Sequence, residues 1–208
     1  MTTALASELF GTDRFAPQPV FLPESPRPLC PPEDSHLRRI LDAALDILRQ
    51  GEDLLGTLPA ATYTTKLPVA FNGSIGGHYR HCLDHFTSLL RGLEAEVVDY
   101  DHRERDPRIE RDPEFALGLT RQLRATLERL DAGALAASVS ARCEVSYDHG
   151  DSPVTRSSVG RELAYAIAHA IHHFALISVM ARLLNAELPP HFGVAPSTVA
   201  HQKVTAGH

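Results

Sequence analysis

Leu37, Ile40, Leu41, Ala44, Leu45, Leu48 and Leu55 recur at three- and four-residue steps, the spacing that puts apolar side chains on one face of an α-helix. Asp34 or Ser35 can cap this first helix, and Gly56 and Pro59 close it. A second helix is predicted from the caps Asn72 and Ser74 to about Ala95, with Ile75, Leu83, Phe86, Leu89, Leu90 and Leu93 on its apolar face. The charged string VVDYDHRERDPRIERDPE, broken at Pro107 and Pro113, reads as a loop. A third helix is predicted at about Glu114–Leu130. Val139, Ala141, Cys143, Val145 and Tyr147 then alternate with polar residues before the turn Asp148-His149-Gly150-Asp151, which predicts a short β-hairpin. The fourth helix runs from about Ser158 to Asn185, closed by Pro189 and Pro190, and is apolar on almost every side. Such a helix is expected at the centre of a bundle. The fold class is therefore all-α: a four-helix bundle with a small β-hairpin before the last helix.

Composition adds the flanks. Seven of the 15 prolines lie between Pro17 and Pro32, too dense for helix or inner strand, so residues 1–32 are expected to be an extended arm. The bundle then occupies 33–198, and 199–208 form a C-terminal tail. With 43% hydrophobic and 22% charged residues, the 208-residue chain has the balance of a globular protein. A net charge of −6 without a Lys/Arg block lacks the footprint of a nucleic-acid binder. Cys30, Cys82 and Cys143 are odd in number and form no CxxC pair, which argues against a disulfide framework and fits a reducing compartment. The start MTTALASELF has no basic stretch, and histidines interrupt the longest apolar run. A cytoplasmic protein without a membrane partner is the expectation.

The 12 histidines carry the chemistry. Side chains four apart on a helix stack one turn above the other, so His169 and His173 can present two imidazoles to one ion. His78, His81 and His85 share a face in the same way on the second helix, and any of them can supply a third ligand. Buried imidazoles need partners, and each unsatisfied group costs about 1–3 kcal/mol. A shared metal resolves that cost among apolar neighbours such as Leu83, Phe86, Ile171 and Phe174. His172 lies about 100° around the helix from His173 and pairs poorly with His169.

These strings resemble the DinB/YfiT-like superfamily of metal-binding four-helix bundles, which is unrelated to the DNA polymerase that shares the name. SIGGHYRHCLDHF resembles the family's second-helix pattern, which makes His81 the ligand there. GRELAYAIAHAIHHFALI resembles its fourth-helix HxxxH, which falls on His169 and His173. FGVAPST and VDYDHRERD resemble one subgroup of the superfamily. The resemblance implies an up-down-down-up bundle, a three-histidine site for Zn, Ni or a similar ion such as Fe or Mn, and in many members a homodimer. Some members are thiol-dependent S-transferases, so a small-molecule substrate and a low-molecular-weight thiol are expected partners.

A metal-dependent enzyme is the leading expectation, either a transferase or a hydrolase, with the ion lowering the pKa of a bound water or thiol. In it His85 and His78 are candidate proton carriers and Glu162, seven residues before His169, a candidate orienter. Tyr100, Arg103 and His172 are candidate substrate contacts, with Asp99 and Asp101 nearby in a charged loop and Arg161 able to meet a carboxylate. The alternative is a non-catalytic module whose ion clips two helices together; a fourth protein ligand would favour it. A ferritin-like redox bundle ranks last, because it needs carboxylate ligands on the inward faces.

Overall fold

A computed structural model describes residues 33–147 and 150–206. The Pro-rich segment 1–32, with Cys30, and the turn residues Asp148 and His149 lie outside the described residues.

The four long predicted helices form. They are α1 (Glu33–Thr57), α3 (Ile75–Ala95), α5 (Pro113–Leu127) and α7 (Val159–Leu183). Helix α1 buries Leu41, Ala44, Leu45, Leu48 and Leu55, the residues its periodicity selects. It already begins at Glu33, so Asp34 and Ser35 lie inside it rather than capping it. Ser74 caps α3, its hydroxyl accepting from the Gly77 amide at 3.0 Å. Asp112 caps α5 in the same way, accepting from the amides of Glu114 and Phe115. Helix α3 packs chiefly on α7, α1 packs on α5 and α7, and α3 also meets α5. Their inner faces share one core that includes Leu41, Leu54, Leu83, Phe86, Leu127 and Leu163.

Shorter pieces join the long ones: α2 (Ala60–Thr64), a 3-10 turn at Pro68–Ala70, α4 (Pro107–Arg111), α6 (Ala132–Ala136) and α8 (Pro196–Ala206). The buried Tyr63 of α2 donates its hydroxyl to the Ile109 carbonyl of α4 at 2.6 Å, tying those pieces over α3. Strands β1 (Val97–Asp99), β2 (Ser138–Arg142) and β3 (Val154–Ser158) form one sheet in that order. β1 runs parallel to β2, Val98 opposite Ala141, and β2 runs antiparallel to β3, Ser140 opposite Arg156.

Four expectations change. The predicted loop after α3 contains β1 and α4, because Val98 and Ile109 are buried and anchor it. The predicted two-stranded hairpin is part of a three-stranded sheet, and its first strand stops at Arg142. Cys143, Val145 and Tyr147 continue the alternation without a paired strand, and Val145 and Tyr147 face solvent. Part of the stretch read as a tail is the exposed helix α8, and ahead of it Phe192 folds back to stack on Phe174 at 4.6 Å. Helix α7 is not enclosed on all sides. Leu176, Val179 and Leu183 are 38%, 56% and 55% exposed, so its outer stripe faces solvent. By length and composition α7 would suffice to cross a membrane. Its inner face nevertheless buries Glu162 and packs on α1 and α3, as the core helix of a globular domain does.

Candidate metal centre

Helices α3 and α7 are in close contact along their length, and that contact brings the two histidine strings together. One ring nitrogen from each of His81, His169 and His173 lies within 4.8 Å of the others. The Nε2 atoms of His81 and His169 face each other at 2.9 Å. Two nitrogens bound at about 2.0–2.1 Å to one tetrahedral ion stand roughly 3.3 Å apart, so this pair needs only a small outward shift to share an ion. His173 completes the group, its ring centre 4.7 Å from that of His81 and 4.6 Å from that of His169.

All three rings are half-buried, and the environment keeps them neutral. Burial and then the neighbouring His169 push the His81 pKa down to about 4. Burial and then His81 bring His173 to about 3, and burial lowers His169 as well. A neutral imidazole has a free lone pair, the form a divalent ion requires. His78 reaches His173 from α3, Nδ1 to Nδ1 at 3.0 Å. With His173 as the donor in this contact, its Nε2 keeps the lone pair, so His78 can set the ligand's tautomer.

His85 sits behind the three. It is 2% exposed, its ring centre is 4.0 Å from that of His169, and neither of its nitrogens has a hydrogen-bond partner. Burial, followed by the charge of His169, lowers its pKa to about 2. The three convergent neutral imidazoles fit a shared ion, while the orphaned His85 stands beside them without being one of the three. The donor set fits: borderline nitrogen ligands, neutral, preorganised on two helices.

The other predicted residues separate. Glu162 does not touch His169. It is buried, and its carboxylate accepts from the Tyr100 hydroxyl at 2.9 Å, the Ser157 hydroxyl at 2.5 Å and the Arg161 guanidinium at 2.9 Å. Tyr100 is likewise buried and stacks on His85 at 5.0 Å, so it does not face a substrate. Glu162 is therefore linked to the histidines only through Tyr100 and His85. His172 is exposed on the outer side, 5.3 Å from the ring of His173. Asp99 is taken up within its loop, accepting from the amides of Asp101 and His102, whereas Asp101 Oδ1 accepts from the amide of Glu144 beyond β2 and its buried Oδ2 has no partner. Arg161 is spent on Glu162.

Of the predicted substrate contacts only Arg103 lines the pocket that opens on the centre. This pocket holds about 480 Å³ and reaches His78, His81 and His173. It also contains Lys66 and Arg105, which sequence reasoning missed. Lys66 stands in no motif, and Arg105 lies within the HRERD string that drew attention to Arg103. Cys82 is fully buried, which raises its thiol pKa and removes it from the centre's chemistry.

The DinB superfamily profile matches residues 44–177, a span that contains every histidine of the cluster. The chain belongs to the DinB superfamily. FK506-binding protein 5 of Rhizopus delemar is 34% identical over 107 residues, which are 51% of this chain and 28% of that protein. The chain thus spans less than a third of that relative's length, and the FK506 binding in its name is a property of that protein. No solved structure matches the chain.

Proposed function

We propose that this DinB-superfamily protein is a metal-dependent enzyme that holds one divalent ion, Zn or Ni, on His81, His169 and His173. One observation carries the reading: three neutral imidazoles from two helices converge within 4.8 Å, and two of them, His81 and His173, line an open pocket. When bound, the ion supplies Lewis-acid chemistry, lowering the pKa of a water or thiol brought to it. The chain's own residues do the rest. His78 both touches His173 and lines the pocket, so it holds that ring's tautomer through Nδ1 and turns its remaining N–H toward a bound molecule. Tyr100 and Glu162 fix the ring of His85 from behind. The pocket admits a small molecule, and transfer to a low-molecular-weight thiol or hydrolysis are the two reactions that suit the centre. We place the protein in the cytoplasm, acting on neither nucleic acid nor membrane.

Metal content of the purified chain after Zn or Ni supplementation tests this. One ion per chain is expected, with stoichiometry lost in His81→Ala and His169→Ala. A chain that takes up no metal would sink the proposal, and metal uptake unaffected by both substitutions would overturn the ligand assignment. A screen of thiols with electrophiles, and of esters and amides, then reads the activity.

A second reading has its own observation. His85 is buried beside His169 with both nitrogens free, and as a fourth protein ligand it would close the coordination shell and favour a structural ion. X-ray absorption of the zinc-loaded protein separates the two. Three imidazoles with one light non-imidazole ligand supports the enzyme, and four imidazoles supports the structural ion.

A further inference from the structure

The pocket over the histidines is basic in a chain whose net charge is −6. Lys66, Arg80, Arg103 and Arg105 line it, against Glu110 as the one lining carboxylate. Glu110 is already engaged, accepting from Arg80 Nε at 3.1 Å, while the other arm of Arg80 holds Asp84 at 2.9 Å. Both acids pair directly with Arg80; Asp84 also feels the charges of Arg103 and Arg105 at longer range, so four cations face two carboxylates. Among the described residues no carboxylate forms an ion pair with Lys66, Arg103 or Arg105.

Arg103 is the most constrained of the three. It is half-buried, and one Nη donates to the Tyr100 carbonyl, which fixes the plane of the guanidinium. Its Nε is cut off from solvent and has no partner. Its charge also reaches the histidines, where it adds to burial and the neighbouring rings in lowering His81 and His85. An unpaired, partly desolvated guanidinium beside two further unpaired cations is costly unless an anion completes it. The pocket also starts at the amino end of the 21-residue helix α3, where Ser74 and Gly77 line it, and the helix field there has the same sign.

We propose that this pocket binds the carboxylate or phosphate group of an anionic small molecule on Arg103 and Arg105, with Lys66 at the rim, and so directs the rest of the molecule toward His81 and His173. The guanidinium fork of Arg103 gives directional, charge-assisted hydrogen bonds to such a group, and Arg105 and Lys66 add charge in an open mouth. The inference deepens the reading of the histidines as a metal centre. It rests on that reading for what the bound molecule is aimed at, and not for the anion contact itself.

The test uses the full chain, both stripped of metal by chelation and loaded with zinc, titrated with succinate, inorganic phosphate and neutral succinamide. At least one of the two anions should bind both forms, tenfold or more tighter than succinamide, and whichever binds tighter names the group. Arg103→Gln with Arg105→Gln should weaken that binding about tenfold or more while zinc stoichiometry holds. Arg105→Gln alone, an exposed position that does not disturb folding, should weaken it measurably. No binding by either anion overturns the proposal. So does binding that ignores the arginine substitutions, or binding that needs zinc and disappears in His81→Ala, which would place the anion on the ion. If zinc fails to bind but arginine-dependent anion binding persists, the metal reading falls and the anion site stands.

Discussion

At Glu162 a carboxylate is only 1% exposed and yet fully served, with a tyrosine, a serine and an arginine donating to it. Its position seven residues before His169 suggests a direct link along one helix face, but the partner is Tyr100 from the loop after β1. The hydroxyl of Tyr100 is consumed by Glu162, and burial followed by the charge of Glu162 raises its pKa far above the ordinary value. Tyr100 is thus a neutral donor whose ring supports His85. Tyr100→Phe keeps that ring and removes the donor, leaving Glu162 with two of its three partners. We expect a loss of roughly 1–2 kcal/mol in denaturant unfolding, the cost of an unmade buried hydrogen bond to a charged group. An unchanged midpoint would mean that Ser157 and Arg161 alone satisfy the carboxylate.

Helix α3 is held in place by close approaches as much as by its apolar face. A side chain at Gly76 would meet the Glu110 carbonyl of α4 at 2.2 Å and the Tyr63 ring at 2.7 Å. One at Gly92 would meet the backbone of β1 at 2.8 Å. The helix is therefore pinned at both ends by pieces that its own periodicity does not announce. Gly76→Ala ought to destabilise the fold by about 1–3 kcal/mol, although alanine is the better helix former. Because His78 and His81 follow within two turns, metal affinity should fall as well. A thermal melt together with a zinc competition assay reads both effects, and a more stable variant would show that α4 gives way easily.

For the molecule as a whole, the buried histidines link stability to pH. Unfolded imidazoles titrate near ~6.5, whereas in the fold His81 lies at about 4, His173 at about 3 and His85 at about 2. Between those values the unfolded chain binds protons that the folded chain refuses, so stability is fully present above the unfolded pKa and falls as the pH drops. The melting temperature of the metal-free protein should decline steadily from about pH 6.5 toward pH 4. His85→Leu should flatten that decline, since His85 is the most buried of the group. Zinc should raise the melting temperature at neutral pH and lose that effect in acid, as protons compete for the ligands. A pH-independent melt in the metal-free protein would show that the cluster is open to water.

How much of this was legible in the chain differs between fold and site. Local periodicity determined the four long helices, because a three- and four-residue apolar repeat specifies a helix without knowing its neighbour; α1, α3, α5 and α7 lie close to where the pattern puts them. Histidine spacing likewise placed His169 with His173 on one face, and His78, His81 and His85 on another. The pairing of those faces was decided only by the packing of α3 on α7. That packing carries His81 to 2.9 Å from His169, leaves His85 enclosed without a partner and gives His78 to His173. The strand β1, its parallel pairing with β2 and the burial of Tyr100 also depend on segments more than forty residues away. So does the basic pocket, in which Lys66 and Arg105 meet across a stretch of chain that no local pattern connects. Periodicity reports which face of an element is apolar, and a charge or an imidazole acquires its chemistry from whatever the fold brings beside it.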